Sequence, residues 1–169
     1  TGSDPVSYKG NLSITDTQTT TLQYLGFNCR SGPFSDAKLR RAISLGINRD
    51  SICKAYLSGH AVSTQFPVAP ASSWYPAALE ESYNAESFAQ AMTEAGYNAH
   101  AASVRMLVCE GNAFRLSAAK AIAAALSVYD LKVEVHTLPY EEYLSALQSG
   151  TFDLYYGETR MTPDFNCAA

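Results

Sequence analysis

The sequence predicts an α/β fold built on a parallel sheet, and three observations carry that reading. From residue 104 onward, short apolar or alternating runs are separated by helical periods with short joins, a β-α-β-α-β order that requires crossover connections and favours parallel strands. The 169 residues suffice for one domain with a core. Hydrophobic residues make up 47% and charged residues 17%, ordinary values for a globular chain.

In chain order, residues 1–20 are rich in Thr, Ser, Asp and Gly and read as irregular, or as an edge strand around Leu12–Ile14. Thr21–Asn28 carries β-formers and reads as a strand, broken by Ser31-Gly32-Pro33. Ser35 or Asp36 can cap a helix to about Ile47, with Leu39, Ala42, Ile43 and Gly46 on its inner face. Asp50 reads as a second cap, and Gly59 is placed to end that helix. Residues 60–83 form a long proline-bearing loop, of the kind that is functional or packed down by its own side chains. Asn84 caps a helix with Phe88, Met92 and Ala95 inward, closed by Gly96.

The remainder is regular. Val104–Cys109 is an apolar strand, Ala113–Val128 a helix, and Leu131–Thr137 a strand with Val133 and Val135 on one face and Lys132, Glu134 and His136 on the other. Tyr140, Tyr143, Leu144 and Leu147 make the face of a short helix ended by Gly150, and Leu154–Tyr156 is the next strand. There is no internal repeat.

Charge and motifs exclude several classes. Twelve basic against sixteen acidic residues give a net charge of −4 with no Lys/Arg run, which argues against nucleic acid as partner. No apolar stretch is long enough to span a bilayer. No signal peptide is visible, and the polar start at Thr1 reads as that of an excised segment, silent about compartment. Cys29, Cys53, Cys109 and Cys167 are too far apart for a zinc knuckle or redox pair; they read as free thiols, with one disulfide open. GxSxG, Walker, GxGxxG and HExxH patterns are all absent from the sequence, so no catalytic residue, metal ligand or cofactor is assigned. His136 reads as a solvated histidine, and Glu141-Glu142 suit the positive end of a helix better than paired-carboxylate catalysis. Arg40-Arg41 sit in the first turns of a helix, but Gly32 alone makes no phosphate loop.

An ordered string then stands out: Gly26-Phe27-Asn28, Pro33-Phe34-Ser35-Asp36, Leu39-Arg40-Arg41-Ala42-Ile43, and Ile47-Asn48-Arg49-Asp50-Ser51-Ile52. It resembles the signature of the family 5 solute-binding proteins of ABC importers, the peptide/nickel type. The loop with Pro67, Pro70 and Tyr75, the helix over 84–96, the β-α-β after Val104 and the stretch Leu147–Leu154 follow in the family's order. The resemblance covers about residues 24–160. It implies a periplasmic-binding-protein type II-like lobe, the second of two lobes that close on a solute by hinge motion. Residues 1–169 would then be one domain, with residues 160–169 near the hinge back to the first lobe. It further implies an extracytoplasmic receptor, periplasmic or lipid-anchored, with no enzymatic activity. Its partners would be a small solute (peptide first, with nickel complexes, opines and oligosaccharides among relatives), the permease subunits and the first lobe.

Two departures matter. The family's Asp-Arg pair is Asn48-Arg49, expected to be structural, its carboxamide ending a helix. Peptide-binding members resemble "GW--D--DP" after the last strand, where the first Asp meets the peptide amine. This chain has Gly157-Glu158-Thr159-Arg160-Met161-Thr162-Pro163-Asp164, with Glu158 in place of the Trp and Met161 in place of that Asp. The expected ligand-binding residues are therefore Tyr156, Glu158, Arg160 and Asp164. Arg160 would meet an anion and Glu158 a cation, or the two would pair with each other or with the first lobe. The alternative function is the effector-binding domain of a transcriptional regulator, which would need a helix-turn-helix outside these residues. An enzyme would need a nucleophile–base or metal constellation that the sequence lacks.

Overall fold

The structure, a computed structural model, describes residues 19–57, 60–96, 103–129 and 131–165. Four strands, β1 (Thr21–Phe27), β2 (Val104–Cys109), β3 (Val133–Leu138) and β4 (Leu154–Arg160), form one sheet in the order β1-β4-β2-β3. β2 runs parallel to both β3 and β4, and β1 runs antiparallel to β4. Helix α4 (Ala113–Ser127) joins β2 to β3, and α5 (Tyr140–Ser149) joins β3 to β4.

The strand order decides where the helices go. The first crossover leaves β2 toward β3, and the second returns past β2 to β4. Crossovers of one hand running in opposite directions put their helices on opposite faces. Ala118, Ala119, Ile122 and Leu126 of α4 accordingly share a core with Val104, Met106, Val108 and Leu154. Tyr143 of α5 packs on the other face with Leu107 and Cys109. Helices α1 (Ala37–Gly46), α2 (Arg49–Tyr56) and α3 (Ala85–Glu94) join the α4 layer, sealing Phe34, Ile43 and Phe88 completely from solvent. Each such side chain contributes about 1.5–3 kcal/mol by leaving water.

Local chemistry sets the helix ends. Asp36 caps α1, accepting from Lys38 N at 2.8 Å, and Asn84 caps α3, accepting from Ser87 N at 2.8 Å. The cap of α2 is Asn48 and not Asp50: Asn48 Oδ1 accepts from Ser51 N at 3.0 Å, and Asp50 falls in the first turn. Asn48 thus starts a helix where ending one was expected. Arg49 is structural as expected, donating to Ser44 O at 3.1 Å and to Ser44 Oγ at 2.7 Å. Arg40 likewise turns back onto Phe34 O and Ser35 O, at 2.8 and 3.0 Å, so it makes no anion site. Gly96 and Gly150 lie past the ends of α3 and α5 with φ of +66° and +72°, the left-handed region glycine favours. Leu12–Ile14 and Gly59 lie outside the described residues.

The largest departure from the expected elements is β4, which runs on to Arg160 instead of stopping at Tyr156. Its continuation is templated by β1: Gln23 faces Glu158 and Thr21 faces Arg160. On the α5 face of this pair each glycine sits opposite a tyrosine, Gly26 against Tyr155 and Tyr24 against Gly157. A Cβ at Gly26 would stand 2.2 Å from Tyr155 Cε1, and one at Gly157 2.6 Å from Tyr24 Cζ. The rings cover the bare backbone and meet edge to face, centroids 5.8 Å apart. The first glycine of the ordered string is therefore required by a ring from another strand.

Its asparagine is also structural. Asn28 is buried; its Nδ2 donates to Phe152 O at 2.9 Å and Gly150 O at 3.1 Å, and its Oδ1 accepts from Arg30 N at 3.0 Å. Asp153 completes this seam, its carboxylate accepting from Arg105 N at 2.8 Å. The loop over 60–83 is packed down by its own side chains, with Phe66 against Tyr75 and Tyr75 Oη donating to Glu80 at 2.7 Å. Thr20 and Met161 close the β1–β4 ladder side by side: Met161 N donates to Thr20 O at 2.9 Å, and Thr20 Oγ1 to Met161 O at 2.7 Å.

Candidate functional site

In an open α/β sheet the crevice for a ligand lies beyond the carboxyl ends of the strands, where successive connections leave in opposite directions. Here that place is the carboxyl end of β2 and β4, beside the first turn of α4. Asn112 builds that turn, its Oδ1 accepting from Phe114 N at 3.0 Å and Arg115 N at 3.1 Å. It thereby delivers Arg115 toward β4. Alternation along β4 puts Leu154, Tyr156, Glu158 and Arg160 on the α4 face. The first two enter the core, and the last two continue that face past its end.

A polar chain joins the strands at this edge. Tyr156 Oη donates to Gln23 Oε1 at 2.9 Å, and Gln23 Nε2 donates to Glu158 Oε2 at 3.0 Å. Arg115 Nε lies 3.6 Å from the same Oε2, with the two side chains 25% and 29% exposed. That separation is an ion pair and not a hydrogen bond, and Arg115 Nε is buried without a hydrogen-bond partner. Burial, together with nearby Cys53 and Glu158, pushes the Tyr156 phenol up to about 12, so it remains a donor throughout the neutral range.

The structure thus brings Tyr156 and Glu158 into one network and sets Arg160 beyond them, exposed, on the same face. Glu158 does not pair with Arg160; among the described residues its ionic partner is Arg115, and Arg160 has none. Asp164 lies beyond the strand in the turn closed by Phe165 N donating to Thr162 O, and engages a partner of its own. Sequence reasoning missed Gln23 and Arg115. Gln23 was detectable as the polar residue on the inward repeat Gln23, Leu25, Phe27. Arg115 had no local signal, because only the packing of α4 on β4 brings it to Glu158.

Other chemistry is sparse. Among the described residues no group of His, Cys, Asp and Glu could hold a metal ion. Cys29, Cys53 and Cys109 are free thiols, and Cys167 lies outside the described residues. His136 is half exposed beside Glu134, and Glu141 and Glu142 occupy the first turn of α5. A groove of about 510 Å³ between β3 and α5, lined by Arg105, His136 and Glu142 among others, opens on the opposite face from Tyr156 and Glu158. Among the described residues no helix is long and apolar enough to cross a membrane.

The molecule is thus an α/β lobe with a polar edge at the reversal of strand order. The chain belongs to the bacterial extracellular solute-binding proteins, family 5 Middle, whose model matches residues 2–165. It is 30% identical over 90 residues to the oligopeptide-binding protein AppA of Bacillus subtilis, covering 52% of this chain and 17% of AppA. It is 29% identical over 77 residues to heme-binding protein A of Haemophilus influenzae, covering 45% of this chain and 14% of that protein. The periplasmic binding protein DppA of Helicobacter pylori, solved with the peptide STSA, superposes with a TM-score of 0.76 at 19% identity, over 87% of this chain and 29% of DppA. That likeness establishes the periplasmic-binding-protein type II-like fold. The matches span less than a fifth of these curated relatives.

Proposed function

We propose that this chain is the second lobe of the substrate-binding component of an ABC importer. It would capture an extracytoplasmic solute, peptide first among candidates, and deliver it to membrane permease subunits. The observation that carries this reading is the polar network Tyr156–Gln23–Glu158–Arg115 at the carboxyl edge of the sheet, the edge at which open α/β sheets take their ligands. The site is half of a cleft and therefore a surface rather than an enclosed cavity. Tyr156, Glu158, Arg160 and Asp164 face or adjoin the solute, with the first lobe supplying the other wall.

The paired segments at Thr20 and Met161 support this placement. Two chain segments that leave a sheet side by side make a double connection to a neighbouring lobe, and bending there closes the cleft. Residues 1–20 would lead into the lobe and 160–169 back toward the hinge. Solute that touches both lobes stabilises the closed form by its differential affinity, and no bond is made or broken. Membership of an extracellular solute-binding family favours this receptor over the regulator alternative. A lipid anchor on the outer face is part of the same proposal.

The test is a thermal-shift screen of the full-length protein against di- to hexapeptides, nickel complexes and small sugars. A ligand that binds only the folded state raises the melting temperature by mass action. A shift with peptides that is lost in Arg160→Ala supports a peptide receptor using this edge. A shift with another class alone discards peptide and keeps the receptor. No shift with any of the three overturns the reading.

A further inference from the structure

Glu158 and Arg115 form an incomplete pair. The Arg115 side chain is three-quarters buried, its Nε is buried without a hydrogen-bond partner, and Glu158 Oε2 lies 3.6 Å from that Nε. A desolvated ion pair stabilises a protein only when its geometry is close and its donors are satisfied, and buried donors are seldom left unpaired. The reason for the gap is visible: Glu158 Oε2 is held at 3.0 Å by Gln23 Nε2 from the facing strand, and Glu158 is fixed to the backbone of β4. Its tether denies it the bidentate approach that a free carboxylate makes to a guanidinium. Two residues on, about 7 Å along the strand, Arg160 shares the face and has no ionic partner among the described residues. Two guanidinium groups therefore stand against one carboxylate.

We propose that Glu158 is a resident counter-ion: it occupies Arg115 in the ligand-free site and yields it to a carboxylate of the solute, which Arg115 and Arg160 then hold together. This rests on the receptor reading of the same edge and deepens it, making Glu158 the residue that sets how strongly an anionic group must compete. Arg115 and Arg160 are the contacts, and Gln23 is the positioning residue that keeps Glu158 slack.

The test uses the full-length protein labelled with ¹⁵N at arginine, with acetate as the minimal carboxylate, and follows the Arg115 Nε–H resonance. In the wild-type protein acetate moves that resonance. In Glu158→Gln, which keeps the acceptor for Gln23 and removes the charge, half-saturation falls to roughly one-tenth, a modest share of what close charge pairs contribute to recognition. In Arg160→Gln half-saturation rises. An Arg115 resonance that acetate moves in neither wild type nor Glu158→Gln overturns the proposal, as does weaker binding in Glu158→Gln. Melting curves of each variant confirm that the compared proteins are folded. The outcome is independent of the thermal-shift screen: the receptor reading falls if no solute class shifts the melting point, whereas this inference falls on acetate alone.

Discussion

At the scale of single residues, Asn28 shows how a motif residue is tied to structure rather than to ligand. Its carboxamide satisfies two carbonyls of the α5–β4 loop and takes a backbone N–H of its own loop. Replacing it by leucine leaves Gly150 O and Phe152 O without that donor, a loss of about 2–3 kcal/mol for buried polar groups. Urea unfolding of Asn28→Leu measures it, and an unchanged midpoint would refute the structural role. Tyr156 carries a second prediction. Its folded-state value is raised to about 12, chiefly by burial, from an ordinary 10. The stability linked to its neutral form is complete below pH 10 and is lost as pH rises from 10 through about 12. Tyr155 is raised to the same range, also chiefly by burial. Tyr156→Phe should flatten the fall in stability over that window without abolishing it, read from urea midpoints at successive pH values.

Among elements, the β1–β4 ladder is the one that local propensity describes least well. Gly157 and Glu158 are poor strand formers, yet they continue β4 because Tyr24 covers one and Gln23 binds the other. Gly157→Ala places a methyl 2.6 Å from Tyr24 Cζ. The ring must leave its edge contact with Tyr155, at a cost of about 1–3 kcal/mol, as for overpacking elsewhere. Differential scanning calorimetry should show a lower melting temperature, and a crystal structure a displaced Tyr24. Were Tyr24 to stay in place with the stability unchanged, the tight glycine–tyrosine fit would be wrong. The helices were more legible: Asp36 and Asn84 cap where short polar side chains precede an apolar period. At α2 the expected cap was Asp50, with Asn48 expected to end the preceding helix. Only the path of the chain out of α1 selects Asn48.

For the whole molecule, the sheet order places two helices on opposite faces and leaves a polar edge at the reversal. On the proposed reading that edge is one wall of a cleft, so the isolated chain should fold on its own core but bind peptide weakly or not at all, the opposing wall belonging to the first lobe. Circular dichroism and calorimetric titration of the isolated chain test both halves of this statement. A micromolar affinity for peptide would show that one lobe suffices and would remove the need for closure.

The sequence alone determined the element types, most of their ends and the α/β class, because hydrophobic period, capping residues and glycine positions act over a few neighbouring residues. The ordered string from Gly26 to Ile52 also carried the family. Strand order, the extension of β4 and the meeting of Arg115 with Glu158 were settled by tertiary packing. Those contacts join residues dozens of positions apart, and their energies depend on register and burial that no local pattern encodes. The proposed binding edge is of this second kind: Tyr156 and Glu158 could be named from the chain, whereas Gln23 and Arg115 become part of it only when the sheet assembles.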